Sequence, residues 1–217
     1  MFYVCNRIVF YSKISKPFKI ISAMKQRKSN RLKGYDYSKN NLYFVTNCVK
    51  NNLCCLGRVI PVGTGRDLSV HHPEIHHPEK EYIMELNQYG LIVEERIHWL
   101  MSQYGYVDIH NYIVMPNHFH IILEIDSSLL KNKISENNSE RTAREQSEQK
   151  IKSLSSLIGA LKTTSSKLIH QENFTDFAWH RSFHDHIIRD EKSYTNISNY
   201  IDLNPEKWFK DRFYNND

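Results

Sequence analysis

The sequence has no run approaching the roughly 18 to 20 uninterrupted apolar residues that a membrane-spanning helix requires, so a helical membrane protein is excluded and no membrane partner is expected. It has only seven glycines and six prolines in 217 residues, too few for a fibrous repeat. Its four cysteines, Cys5, Cys48, Cys54 and Cys55, form no C-x-x-C pair or even framework and suit reduced thiols, so a cytoplasmic location is expected. Residues 1–23 lack the unbroken apolar middle and small-residue cleavage site of a secretory leader. No Walker-type phosphate loop is present, so the chain is expected to work without a nucleotide cofactor.

Acid is nearly missing from the first fifty residues, where Asp36 stands against eleven Lys or Arg. The whole chain carries only +5, so the remaining residues sum to −5. A basic arm on a mildly acidic body fits a protein that meets a polyanion with one end. Apolar residues make up 40 % of the chain, enough to bury a real core, and the length fits one domain with appendages. Residues 1–24 are expected as a poorly packed extension, 25–208 as the folded domain with a flexible, Ser-, Asn- and Glu-rich loop at 126–150, and 209–217 as a tail. Met24, which opens the basic run, is a second candidate start of translation.

Leu42–Val49 is β-branched and aromatic and predicts a buried strand, followed by a loop over 57–80. His71, His72, His76 and His77 in that loop could bind a metal but are read as incidental. Apolar spacing predicts a helix over Glu81–Tyr104, two strands over Tyr106–Val114 and Phe119–Ile125, and a helix over Ile151–His170. A strand near His184–Ile188 and a last helix capped by Asp190 and stopped by Pro205 complete the order. The fold class is therefore α+β: a ferredoxin-like split βαββαβ antiparallel sheet with helices on one face, plus a C-terminal helix.

On a strand, side chains alternate, so His118 and His120 leave one face while Phe119, Ile121 and Leu123 leave the other. Two imidazoles aimed at one point suit a divalent cation, although the same pattern also fits paired structural histidines. On the last helix Tyr200 and Asn204 lie about 40° apart, beside an apolar stripe of Tyr194, Ile197 and Ile201. A phenol and an amide oxygen thus share one flank.

Arg31-Leu-Lys-Gly-Tyr-Asp-Tyr37, Leu42-Tyr-Phe-Val-Thr46, Met115-Pro-Asn-His-Phe-His120, Trp179-His-Arg-Ser-Phe-His-Asp-His-Ile-Ile-Arg189 and Asn199-Tyr-Ile-Asp-Leu-Asn-Pro205 follow one another in that order. The set resembles the single-tyrosine transposases of the insertion-sequence-200 type, and within them the branch associated with repetitive extragenic palindromes (REP). The resemblance runs from about Asn30 to Trp208. It implies an HUH endonuclease, in which a His-hydrophobic-His pair binds Mg²⁺ or Mn²⁺ and a helix-borne tyrosine attacks a phosphodiester of single-stranded or hairpin DNA. On that resemblance His118 and His120 are metal ligands, Tyr200 is the nucleophile and catalytic residue, and the C-terminal helix carries it. Asn204 falls where these enzymes usually carry a Gln as third ligand, one methylene longer.

Lys25, Arg27, Lys28, Arg31 and Lys33 are candidate phosphate contacts, with Lys162, Lys167, Arg181 and Arg189 secondary. Tyr35, Tyr37 and Phe183 are candidates for stacking on unpaired bases. Whether the protein acts as a monomer or a homodimer is left open. A domesticated hairpin-DNA-binding protein without catalysis is the alternative reading. A small-phosphoester hydrolase would share the histidines but needs neither Tyr200 nor the basic arm.

Overall fold

The computed structural model describes residues 32, 34–62, 82–129 and 150–214. Lys25, Arg27, Lys28, Arg31 and Lys33, the four loop histidines and most of the 126–150 loop lie outside the described residues.

The elements in chain order are β1 (Asn41–Cys48), β2 (Gly57–Pro61), β3 (Tyr82–Leu86), α1 (Gln88–Gln103), β4 (Val107–Met115) and β5 (His118–Ile125), then α2 (Leu154–Gln171), β6 (His184–Ile188), α3 (Glu191–Asp202) and the one-turn α4 (Asn204–Lys207). The chain is α+β, with a four-stranded antiparallel sheet in the order β4-β5-β1-β6 and a separate β2-β3 pair.

Alternation along the central strands divides the apolar residues between two faces. On one, Tyr43, Val45, Phe119, Ile121 and Leu123 pack with Val93, Ile97 and Leu100 of α1 and Leu157, Ile158 and Leu161 of α2. On the other, Ile122, Ile188, Leu42, Phe44 and Ile113 meet Tyr194, Ile197, Tyr200 and Ile201 of α3. Each Leu or Ile fully buried there contributes about 1.5–3 kcal/mol. The sheet is therefore covered on both faces, and α3 lies on the face from which His118 and His120 project.

The structure differs from the sequence reading at the first helix. Tyr82–Leu86 is not its first turn but a strand, paired in register from Gly57↔Leu86 to Pro61↔Tyr82, and Gly57–Pro61 is likewise strand rather than loop. Tyr82, Met84 and Leu86 share one side by alternation, which competes with the helical period across the same residues. The helix starts where Asn87 caps it, its side chain accepting from the Tyr89 and Gly90 amides. Gly90 is required at that point: a Cβ there would lie 2.1 Å from the Leu56 carbonyl oxygen. Ser153 caps α2 and Asp190 caps α3 by the same kind of bond. Pro205 follows α3 as expected, but it also stands in the first turn of α4, where its missing N–H costs nothing. Among the described residues no helix is long and apolar enough to cross a membrane.

Candidate active site

The β4–β5 hairpin turns through Pro116 and Asn117 and delivers His118 and His120 to the middle of the sheet. Asn117 is fully buried, and its Nδ2 donates to the carbonyls of Asn52 (3.0 Å) and Phe213 (2.7 Å). With the amide nitrogen committed, Oδ1 is left to face His118 Nδ1 at 2.8 Å. An amide oxygen only accepts, so Nδ1 carries the ring proton and Nε2 keeps its lone pair. On the neighbouring strand Thr46 Oγ1 lies 2.7 Å from His120 Nδ1 and can hold that ring the same way. The two Nε2 atoms are 3.1 Å apart.

Both rings are buried, at 0 % and 1 % exposure. Burial, reinforced by the nearby Arg212 charge, pushes the His118 pKa down to about 3. Burial also holds His120 well below its ordinary value, with the His118 and Arg212 charges acting the same way. Both imidazoles are therefore neutral at physiological pH, the form that ligates metals.

Tyr200 on α3 points its hydroxyl at the pair, 3.4 Å from His120 Nε2. Phe44 stacks on His120 with centroids 5.4 Å apart and meets Tyr200 edge-on, so the phenol rests on an aromatic shelf. The helix is pinned from β4, where Asn111 Nδ2 donates to Ser198 Oγ (2.8 Å) and Asp202 Oδ1 (3.0 Å). Burial raises the Tyr200 pKa and Asp211 adds to the rise, while Asn204 and Arg212 oppose it. The phenol thus carries its proton at neutral pH.

Asn204 is fully buried, and neither its Oδ1 nor its Nδ2 makes a hydrogen bond of ordinary geometry. It is close enough to Tyr200 to favour the phenolate, yet it begins α4 rather than continuing α3, so the flank shared by the two residues crosses a helix boundary. That flank is buried or half-buried, not exposed.

The donor set fits a divalent cation. Two neutral imidazole nitrogens 3.1 Å apart have the separation of neighbouring ligands on an ion with bonds of about 2.1 Å. The partnerless Asn204 amide supplies a nearby oxygen, and the Asn117 and Thr46 contacts are the outer support that ligating histidines use. A second group of ligand-capable side chains, Asp108, His110 and Glu124, has its atoms within 4.8 Å of one another farther along β4 and β5. There His110 and Glu124 are already paired at 3.0 Å.

The other predicted contacts separate. Arg181 precedes β6 at the end where Thr46 pairs with His184 and, on its other side, His120. Arg189 follows the opposite end of β6. Lys162 is turned inward, donating to the carbonyls of His180 (2.7 Å) and Arg181 (3.1 Å). Lys162 and Lys167 line an open groove of about 710 Å³ along α2, which contains neither the histidine pair nor Tyr200. Tyr35, Tyr37 and Phe183 pack against the helix-side core. Trp179 also lies there, against Phe119 and bonded to Ser165 Oγ at 3.0 Å, and so supports β5 from beneath the histidines.

Sequence reasoning missed the cover of the site. Residues 209–214, expected as part of a tail, return to the histidines: the Phe213 ring lies 4.7 Å from the His118 ring, and Trp208 flanks it at 6.0 Å. Arg212 comes with this segment. No motif signals it, whereas Asn117 was within reach as the residue preceding the His-x-His pair.

No family model matches the chain. A Haemophilus influenzae protein of uncharacterised function is 29 % identical over 188 residues, covering 87 % of this chain and 93 % of that protein. A candidate transposase from Deinococcus radiodurans matches in structure at 14 % identity and a TM-score of 0.39, over 79 % of this chain and 95 % of the other. A REP-associated tyrosine transposase bound to a REP hairpin matches at 18 % identity and a TM-score of 0.46, over 82 % of this chain and 73 % of the other.

Proposed function

We propose that this protein is a metal-dependent single-strand DNA endonuclease and strand transferase of the tyrosine transposase type, acting on hairpin-bearing DNA. The observation that carries the reading is the convergence, within one chain, of a tyrosine hydroxyl and two neutral imidazoles: 3.4 Å from Tyr200 to His120, and 3.1 Å between the ring nitrogens. A strand order of β4-β5-β1-β6 with α1 and α2 on one face reads as a split βαββαβ sheet into which the β2-β3 pair is inserted. The tyrosine then comes from the helix on the other face.

In this mechanism His118, His120 and Asn204 would hold a Mg²⁺ or Mn²⁺ ion. When bound, the ion supplies positive charge that favours the phenolate and offsets charge on the phosphoryl oxygens. Tyr200 gives its proton to solvent water, and its oxygen attacks phosphorus. The bond to the 3′ oxygen breaks, and that oxygen takes up a proton to leave as a 3′-OH. The phosphotyrosine linkage keeps the bond energy, so another 3′-OH can reverse the step and join a new strand. Phe44 and the Asn111 contacts fix the phenol for in-line approach. The positive excess of the first fifty residues serves to hold the hairpin backbone.

The test uses labelled single-stranded oligonucleotides carrying the imperfect palindromes that flank the gene. With Mn²⁺ present, wild type should become covalently attached and Tyr200→Phe should not. An adduct that persists in Tyr200→Phe moves the nucleophile elsewhere, with Tyr194 the first suspect. Hairpin binding that is equal in wild type, Tyr200→Phe and His118→Ala, with no cleavage by any of them, replaces the enzyme by a binding protein.

A further inference from the structure

Arg212 has no role in the sequence motifs, yet the fold carries it to the site. Asn117 Nδ2 holds the Phe213 carbonyl at 2.7 Å, and the Phe213 ring lies against His118. The Arg212 guanidinium sits over that same ring, 4.5 Å from its centroid. Asp211, the nearest acid in sequence, turns Oδ1 to accept from the Phe213 amide at 2.8 Å, and Arg212 makes no salt bridge among the described residues. The result is an exposed, permanently charged fork with free donors, at the edge of two imidazoles and a phenol. Its charge is felt by His118, His120, Tyr200 and Cys48, residues that come from three different elements.

We propose that Arg212 is the phosphate-holding residue of this site, gripping the non-bridging oxygens of the scissile phosphodiester beside the Tyr200 hydroxyl. The assignment rests on the nuclease reading above and adds a substrate contact to it. A guanidinium matches two phosphoryl oxygens in one plane, which a single imidazole or ammonium does not. The oxygens gain negative charge as the tyrosine attacks, so a donor fixed there favours the transition state over the ground state. Stacking on Phe213 and the Asn117 bond to that residue's carbonyl hold the fork in place before DNA arrives.

The cleaved bond is first mapped from the wild-type adduct. Affinity is then measured for two oligonucleotides, one natural and one with a methylphosphonate at the mapped position, which removes one phosphate charge and changes little else. Two full-length non-cleaving proteins are compared, Tyr200→Phe and Tyr200→Phe/Arg212→Ala. In the first, the methylphosphonate should weaken binding roughly tenfold, the size of one charge-assisted contact. In the second, with both proteins measured free of divalent metal so that no ion contacts the phosphate, it should change nothing. Because each protein is compared with itself on two ligands, partial misfolding does not alter the ratio. Equal weakening in both proteins, or none in the first, overturns the assignment of Arg212 while the wild-type adduct still stands. Absence of any wild-type adduct removes the nuclease reading, and this one with it.

Discussion

Asn117 Oδ1 and His118 Nδ1 lie 2.8 Å apart, and this contact fixes which imidazole nitrogen faces the site. Since the Asn117 amide nitrogen is held by two carbonyls, the ring cannot rotate to exchange its nitrogens without breaking a buried network. Thr46 does the same for His120 through a hydroxyl, and its removal disturbs the fold less. Thr46→Val should therefore weaken Mn²⁺ binding roughly 10- to 100-fold, the loss typical of outer-shell partners. Calorimetric Mn²⁺ titration of the full chain measures it. Unchanged affinity would mean that His120 is oriented by packing on Phe44 alone.

Gly90 against Leu56 offers a test of the fold. A methyl group at position 90 would meet a backbone oxygen at 2.1 Å, and backbone cannot swing aside as a side chain can. Gly90→Ala should destabilise by about 1–3 kcal/mol, the range for overpacking, although alanine is the better helix former. Urea denaturation reads the difference. A stabilised variant would show that α1 can move away from the Leu56 carbonyl at little cost.

The four strands of the main sheet and the last helix were legible because their patterns are strong. His118 to Ile125 is a short, almost wholly apolar run between turn signals, and Tyr194, Ile197 and Ile201 mark one helical stripe. Tyr82–Leu86 was misread because apolar residues at 83, 86, 91 and 92 satisfy a helical spacing while the capping Asn87 interrupts it unmarked by Gly or Pro. The histidines and Tyr200 were legible as a motif, but their burial was not. Burial comes from Trp208 and Phe213, 90 and 95 residues beyond His118 in sequence, and long-range cover of that kind leaves no periodic trace. For the same reason Arg212 was invisible and Phe183 was overvalued. A lone aromatic does not reveal whether it meets a base or a core.

Asp190 gives a pH-dependent prediction. Its carboxylate accepts from the Ser193 amide at 2.8 Å and the Ser193 hydroxyl at 2.9 Å, and these bonds lower its pKa below the ordinary 3.8. A depressed folded-state pKa means that the stabilisation is present above the unfolded value and is lost as pH falls through the folded one. Wild type should thus exceed Asp190→Ala in stability by a constant margin at neutral pH, and the margin should shrink below about pH 4. Thermal melts from pH 7 to pH 3 measure it. A margin that is independent of pH would assign the cap to the polar side chain and not to its charge.

Phe213 over His118 makes the last prediction. The two rings are 4.7 Å apart, and with Trp208 the Phe213 ring accounts for a histidine that is wholly inaccessible. Phe213→Ala removes one wall of the cover and leaves the β5 strand untouched. Diethyl pyrocarbonate, which acylates only accessible neutral imidazoles, should then modify His118 severalfold faster in metal-free protein, as read by peptide mass mapping. His184 and His186, already exposed on β6, serve as internal controls and should react at their wild-type rates. If His118 stays as protected as in wild type, Trp208 and the sheet bury it unaided, and on the proposed function a substrate would have to approach from the Tyr200 side.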